Sequence, residues 1–213
     1  MQLMPLHSPA LAIEAIERTT LAILAGGEGS RMGTPKGLLT IAGQPILQFL
    51  LDRLQWPGPT LLITAPGREH PPGWQRFTKE RHDPVAGGGP LRGVLTALEH
   101  VQTPTLIVLT VDMPSVGKLQ CLAGLEALGQ AAATTLGVMF RRPGPFGPQV
   151  EPFPLALRPE AQPTVAWRLK AARRSVHGLL EESGFVAVDA PAEWDEKVWT
   201  NLNEPGDLRD FTP

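Results

Sequence analysis

The run Thr19-Thr20-Leu21-Ala22-Ile23-Leu24 is apolar and rich in β-formers, the composition of a strand buried in a sheet. It breaks into Ala25-Gly26-Gly27-Glu28-Gly29-Ser30-Arg31-Met32-Gly33-Thr34-Pro35-Lys36. Glycines there permit positive φ and let backbone N–H groups point inward at an anion. Arg31 and Lys36 bring fixed positive charge to the same spot, and a guanidinium can grip phosphate with paired hydrogen bonds. The segment reads as a polyphosphate cradle; the plainer alternative is an ordinary tight turn from strand to helix. Neither standard phosphate loop fits. Lys36 is followed by Gly37, where a P-loop needs Ser or Thr, and G-x-G-x-x-G matches Gly27 and Gly29 but meets Met32 in place of its last glycine.

The rest of the chain repeats the alternation. Residues before Thr19 read as an added N-terminal segment, 1–18, with Ser8 capping a short helix that has Pro9 at its first position. After the glycine loop, Ile46–Leu54 carries apolar residues at helical spacing and reads as the first crossover helix. Residues 60–65 form a second buried strand, ended by Pro66-Gly67. Residues 68–88 are polar and rich in Pro and Gly, with a short strand near Phe77, and Pro90 opens a helix through Leu98. Residues 105–111 are the most strand-like run and stop at Asp112-Met113-Pro114. A helix over 117–128 and a strand over 133–140 follow. Farther on, residues 167–180 predict a helix whose Arg168, Lys170, Arg173 and Arg174 form a solvated basic face.

Such βαβαβ order predicts one α/β domain over 19–213, a mainly parallel sheet flanked by helices. Ligands of such sheets bind beyond the carboxyl ends of the strands, where Gly26-Gly27 and Asp112 can face one another across a single cleft. A chain of 213 residues with 42% hydrophobic residues can bury a core of that kind. Its net charge of −2 offers no basic face for nucleic acid. No apolar run approaches a membrane span, and Glu14 and Glu17 interrupt the start, so no membrane contact, no signal peptide and a cytoplasmic location are expected. Cys121 has no partner for a disulfide and reads as a small apolar helix residue.

Asp112, a carboxylate at the end of a buried strand, suits a metal whose other ligands are triphosphate oxygens, since Mg²⁺ takes one or two carboxylates plus phosphates and waters. It could equally cap the next helix. Toward the end, Asn201 and Asn203 in Asn201-Leu202-Asn203-Glu204-Pro205-Gly206-Asp207-Leu208 can offer an amide oxygen to a cation or an NH₂ to phosphate without adding charge. Asn203 also fits the N-cap of a helix whose first turn holds Pro205 and Asp207.

The pattern L-A-G-G-x-x-x-R-M-G-x-x-K over Leu24 to Lys36 resembles that of the molybdenum cofactor guanylyltransferases, the MobA-like nucleotidyltransferases. Three further segments follow in that family's order: Gly89-Pro90-Leu91-Arg92-Gly93 with Asp83 upstream, Leu109-Thr110-Val111-Asp112-Met113-Pro114, and the Asn201 to Leu208 segment. The resemblance implies the nucleotide-diphospho-sugar transferase type of fold and nucleotidyl transfer from GTP to the phosphate of molybdopterin. It implies Leu24, Ala25, Gly26, Gly27, Lys36, Asp83, Gly89 and Asp112 at the nucleotide, with Arg31, Lys36 and Asp112 catalytic. Asp112 and Asn203 would hold Mg²⁺, and molybdenum cofactor assembly proteins would be partners. Departures also stand out. Pro35 precedes Lys36 where the family often has Asp, Ala65-Pro66-Gly67 stands where it often has Asn, and Arg92 replaces a small residue, to obstruct the substrate or to add a phosphate contact. Rival readings are a cytidylyltransferase or sugar-phosphate nucleotidyltransferase of the same fold, and a non-catalytic nucleotide-binding assembly factor.

Overall fold

A computed structural model of the chain describes residues 14–27 and 33–211. Within them β1 (Thr19–Leu24) leads through a small hairpin, β2 (Thr40–Ile41) and β3 (Gln44–Pro45), into helix α1 (Ile46–Leu54). There follow β4 (Thr60–Thr64), β5 (Lys79–His82), α2 (Pro90–His100), β6 (Thr105–Thr110) and α3 (Lys118–Gln130). The chain then forms β7 (Gly137–Arg142), β8 (Gln149–Leu157), α4 (Gln162–Lys170), β9 (Phe185–Asp189) and α5 (Pro205–Asp210). The expected helix at Ser8 and Pro9 lies outside the described residues. Its neighbour Ile16 is buried, so the turn just before β1 packs on the domain.

Seven strands form one sheet in the order β5-β4-β1-β6-β8-β7-β9. The apolar runs take its middle: β1 is parallel to β4 and β6, and β4 to β5. Leu21, Ile23, Leu62, Ile63, Leu106 and Ile107 are almost wholly buried, each worth about 1.5–3 kcal/mol of transfer free energy. Continuous rather than alternating apolarity is what a strand needs when helices cover both of its faces. Leu24 sits opposite Ile63 on one side and Thr110 on the other, and Thr64 opposite His82, so the carboxyl ends of β1, β4, β5 and β6 align along one edge.

The far half of the sheet departs from the expectations. β8 runs antiparallel to both β6 and β7, yet its sequence Gln-Val-Glu-Pro-Phe-Pro-Leu-Ala-Leu contains two prolines that lack ladder donors. The structure accommodates them at an irregularity. β6 pairs with residues 155–157 only, and the β7 register shifts between Val138 and Phe140, opposite Pro152 and Pro154. The strand expected at 133–140 begins later, at Gly137, and the one near Phe77 begins at Lys79. The helix expected over 167–180 instead spans Gln162–Lys170, is broken at Ala172 (φ 58°) and resumes as a short 3₁₀ turn, His177–Glu181.

Arg168 is not on a solvated face. It is buried, and its Nη1 donates to Glu182 (2.5 Å) and Glu181 (3.3 Å). Gly178 makes the room: a Cβ there would lie 2.0 Å from the guanidinium. Removing one member of a buried ion pair strands the other, whereas replacing both partners together by apolar residues of similar volume is often tolerated. Arg168→Ala should therefore cost about 3 kcal/mol in urea unfolding, and Arg168→Met, which keeps the stem but also strands Glu182, nearly as much. A small loss in Arg168→Met beside a large one in Arg168→Ala would mean that packing, and not the pair with Glu182, is what Arg168 supplies.

Candidate active site

Beyond the aligned strand ends lies a cleft of about 350 Å³, lined among others by Leu24, Gly26, Gly27, Lys36, Asp83, Gly89 and Asp112. Each wall follows from local chemistry. After β1 the chain turns at Gly26, where a Cβ would crowd the Ala65 backbone nitrogen at 3.3 Å and approach Asp83 Oδ2 at 3.7 Å. Gly89 takes φ 76°, a conformation that favours glycine, and hands the chain to Pro90 at the first turn of α2. Gly87 and Gly88 line the same wall, although sequence reasoning did not single them out; the glycine run before Pro90 is the signal that could have found them. Ala25 contributes instead to a neighbouring cavity with Gly37, Thr64 and His70. Arg31 lies outside the described residues.

Lys36 opens a short 3₁₀ turn, Lys36–Leu38, whose Gly37 is buried against Ala25 and Pro71, so that the turn folds back over the end of β1. Its Nζ donates to Asp112 Oδ2 at 2.5 Å and to Asn203 Oδ1 at 2.8 Å. Asp112 follows β6, and Val111 N–H donates to the Leu24 carbonyl at 3.0 Å, which continues the sheet for one more residue. Asp112 does not cap a helix: Gly117 is the N-cap of α3.

Asn203 reaches the site through the backbone. The N–H of fully buried Leu202 donates to the Asp112 carbonyl at 2.8 Å, which ties the C-terminal segment to the end of β6. Asp207 then accepts from the N–H groups of Asn203 (2.7 Å) and Glu204 (2.8 Å), bonds that hold its carboxyl below the usual carboxylate range. The N-cap of α5 is thus Glu204 rather than Asn203, which leaves the Asn203 side chain free for Lys36. Asn201 is not brought in; its amide turns to the Trp199 carbonyl.

Asp112 Oδ2 and Asn203 Oδ1 therefore converge on one cationic group, and Asp112 Oδ1 is buried with no hydrogen-bond partner among the described residues. Buried polar atoms are normally satisfied, so an orphaned carboxylate oxygen beside a second oxygen donor suits a hard divalent cation.

At the other end of the cleft, Asp83 extends β5 through its N–H to the Thr64 carbonyl (2.9 Å), and its Oδ1 accepts from the Thr96 hydroxyl at 2.6 Å. Burial pushes its carboxyl up, against the Thr96 hydrogen bond and the nearby Arg92 charge. Asp83 and Asp112 end strands three inter-strand steps apart, about 14 Å at the usual spacing. One carboxylate thus stands at the cationic end and the other well away from it. Arg92 neither blocks the cleft nor reaches for phosphate; it folds along α2 onto Thr96 and Glu99. Cys121 is buried, its thiol pushed up to about 12, as befits a packing residue.

The sequence model of the MobA-like NTP transferase domain matches residues 21–189. A molybdenum cofactor guanylyltransferase of Cereibacter sphaeroides is 33% identical over 198 residues, covering 87% of this chain and 91% of that one. Among solved structures, molybdopterin-guanine dinucleotide biosynthesis protein A of Archaeoglobus fulgidus superposes with a TM-score of 0.70 at 22% identity, covering 89% of this chain and 95% of that one. The 2-C-methyl-D-erythritol 4-phosphate cytidylyltransferase of Thermus thermophilus shares the fold, with a TM-score of 0.68 at 16% identity, over 88% and 94% of the two chains.

Proposed function

The chain is a nucleotidyltransferase of the MobA-like NTP transferase domain family, and from that premise we propose that it transfers GMP from GTP to the phosphate of molybdopterin. The observation that carries the reading is the meeting of Lys36, Asp112 and Asn203 at one end of a glycine-walled cleft. The family uses a divalent metal; here Asp112 and Asn203 would hold Mg²⁺, which when bound offsets charge on the triphosphate. A phosphate oxygen of the acceptor forms a bond to the α-phosphorus, the bond from that phosphorus to the bridging oxygen breaks, and pyrophosphate leaves with the electron pair. The nucleophile is already anionic near neutral pH, so the chain needs no general base, and its work is positioning and charge neutralisation.

Each wall then has a task. Lys36, with Arg31, takes phosphate oxygens; Gly26 and Gly27, with Leu24 and Gly89, let backbone approach the nucleotide. Asp83 repels phosphate and accepts hydrogen bonds, so it orients the triphosphate toward Lys36 and receives donor groups of the nucleoside. We take the reaction to be cytoplasmic and to be served by proteins that supply or receive the cofactor.

Base choice is where the guanylyl and cytidylyl readings part. Guanine presents N1–H and N2–H₂ donors on one edge to an acceptor such as Asp83, and a buried hydrogen bond left unpaired by the wrong base costs about 1–3 kcal/mol. GTP should bind in preference to CTP by roughly ten- to a hundredfold. Competition binding of the nucleoside triphosphates with Mg²⁺ present checks this, and equal or tighter CTP binding would favour the cytidylyltransferase reading. Pyrophosphate release that requires a phosphate acceptor would set a transferase apart from a non-catalytic assembly factor.

A further inference from the structure

Asp83 is held by a chain of hydrogen bonds that starts on the outer side of α2. Arg92 can only donate, and its Nε and Nη2 lie 3.3 and 3.2 Å from the hydroxyl oxygen of Thr96. Thr96 is 1% exposed and has a single proton to give. Its nearest acceptor is Asp83 Oδ1 at 2.6 Å, and the alternative, the Arg92 carbonyl, lies at 3.2 Å. With guanidinium N–H groups occupying the oxygen's lone pairs, the hydroxyl proton is directed to Asp83. Arg92 is itself fixed, because Nη2 also donates to Glu99 at 2.7 Å and its stem lies over Gly88, where a Cβ would come within 2.7 Å of Arg92 Cβ.

The consequence is an asymmetric carboxylate. Oδ1 is engaged by Thr96, while Oδ2 lies toward Gly26, with no donor to it among the described residues. We propose that Thr96, oriented by Arg92, is a positioning residue for nucleotide selection, anchoring Asp83 by one oxygen so that the other is presented to the nucleoside. The proposal rests on the reading of Asp83 as a nucleoside contact. It gives Arg92 a role apart from substrate obstruction or phosphate binding. Burial, with the nearby Glu99 charge, pushes the Asp83 carboxyl up, while the Thr96 hydrogen bond and the Arg92 charge oppose that shift in part.

Thr96→Val keeps the side-chain shape and deletes the hydroxyl. Binding of GTP with Mg²⁺ should weaken about tenfold and preference over ATP and CTP should narrow, the loss expected for one hydrogen bond to a charged group. Turnover at saturating GTP should change by less than about threefold, because Thr96 touches no reacting group. Thr96→Ser should restore affinity, and in an Asp83→Asn background Thr96→Val should cost little more, since the two act through one contact. Arg92→Met retains the stem over Gly88 and removes the donors; it should weaken GTP binding in the same direction, and it tests the relay should Thr96→Val not fold. Wild-type GTP affinity and selectivity in folded Thr96→Val, or a loss that Thr96→Ser shares in full, would overturn the proposal while the transferase reading stands. A wild-type protein that binds none of the nucleoside triphosphates would remove that reading, and this proposal with it.

Discussion

Asp112→Asn is expected to lower GTP turnover by about a thousandfold while the protein stays folded, a barrier increase of about 4 kcal/mol. The side chain keeps its shape, so packing at the end of β6 is undisturbed and Leu202 can still bond to the backbone carbonyl of residue 112. What disappears is the negative charge that Lys36 faces at 2.5 Å and that would hold Mg²⁺. A neutral amide retains one oxygen, yet it cannot match the charge of a divalent ion, and the second oxygen, buried without a partner in the present protein, is replaced by a donor. The measurement is pyrophosphate release at saturating GTP and Mg²⁺, with a thermal melt alongside and Mn²⁺ binding as an independent readout. Turnover near the wild-type rate in a folded variant would leave Asp112 as no more than the partner of Lys36.

Lys36→Ala should reduce kcat/KM for GTP by at least about a hundredfold, and excess Mg²⁺ should not restore it. The ammonium is the cation toward which Asp112 and Asn203 converge, and both side chains of the Lys36–Asp112 pair are largely withdrawn from solvent, 16% and 17% exposed. Charges so placed are poorly screened, so losing one weakens the site's hold on a polyphosphate far more than losing a surface lysine would. Lys36→Arg should not rescue: a planar fork cannot replace a point charge where two oxygen acceptors converge on one nitrogen. Direct GTP titration separates binding from turnover. Unchanged affinity and rate in Lys36→Ala would reduce the residue to a structural clamp between two segments.

Local sequence made the first half of the fold readable. β1, β4 and β6 are continuous apolar runs cut off by Gly, Pro or Asp, and such a run is compatible with little except a strand covered on both faces. β8 was hidden for an equally local reason. Pro152 and Pro154 argue against a central strand, and only the interrupted ladder between β7 and β8 makes room for them. Arg168 misled differently. A basic residue in a polar helix reads as solvated, but its partners Glu181 and Glu182 lie beyond a break in the helix and reach it only after the chain folds back.

The sequence alone determined the parts: a glycine turn after a buried strand, a lysine shortly beyond it, an aspartate at the end of another strand, and an Asn-rich turn near the end of the chain. These depend on backbone stereochemistry and on chemistry within a few residues, so they are legible without neighbours. The tertiary structure decided how the parts combine. Lys36 meets Asp112 across 76 residues of sequence and Asn203 across 167, and the Leu202 to Asp112 backbone bond brings the last of these into range. Thr96 and Arg92 gained their relation to Asp83 in the same way, through the packing of α2 beside β5. A polar side chain has several possible partners, and which of them it takes is set by what other elements leave buried and unsatisfied within about 3 Å. Composition and spacing carry no record of that choice.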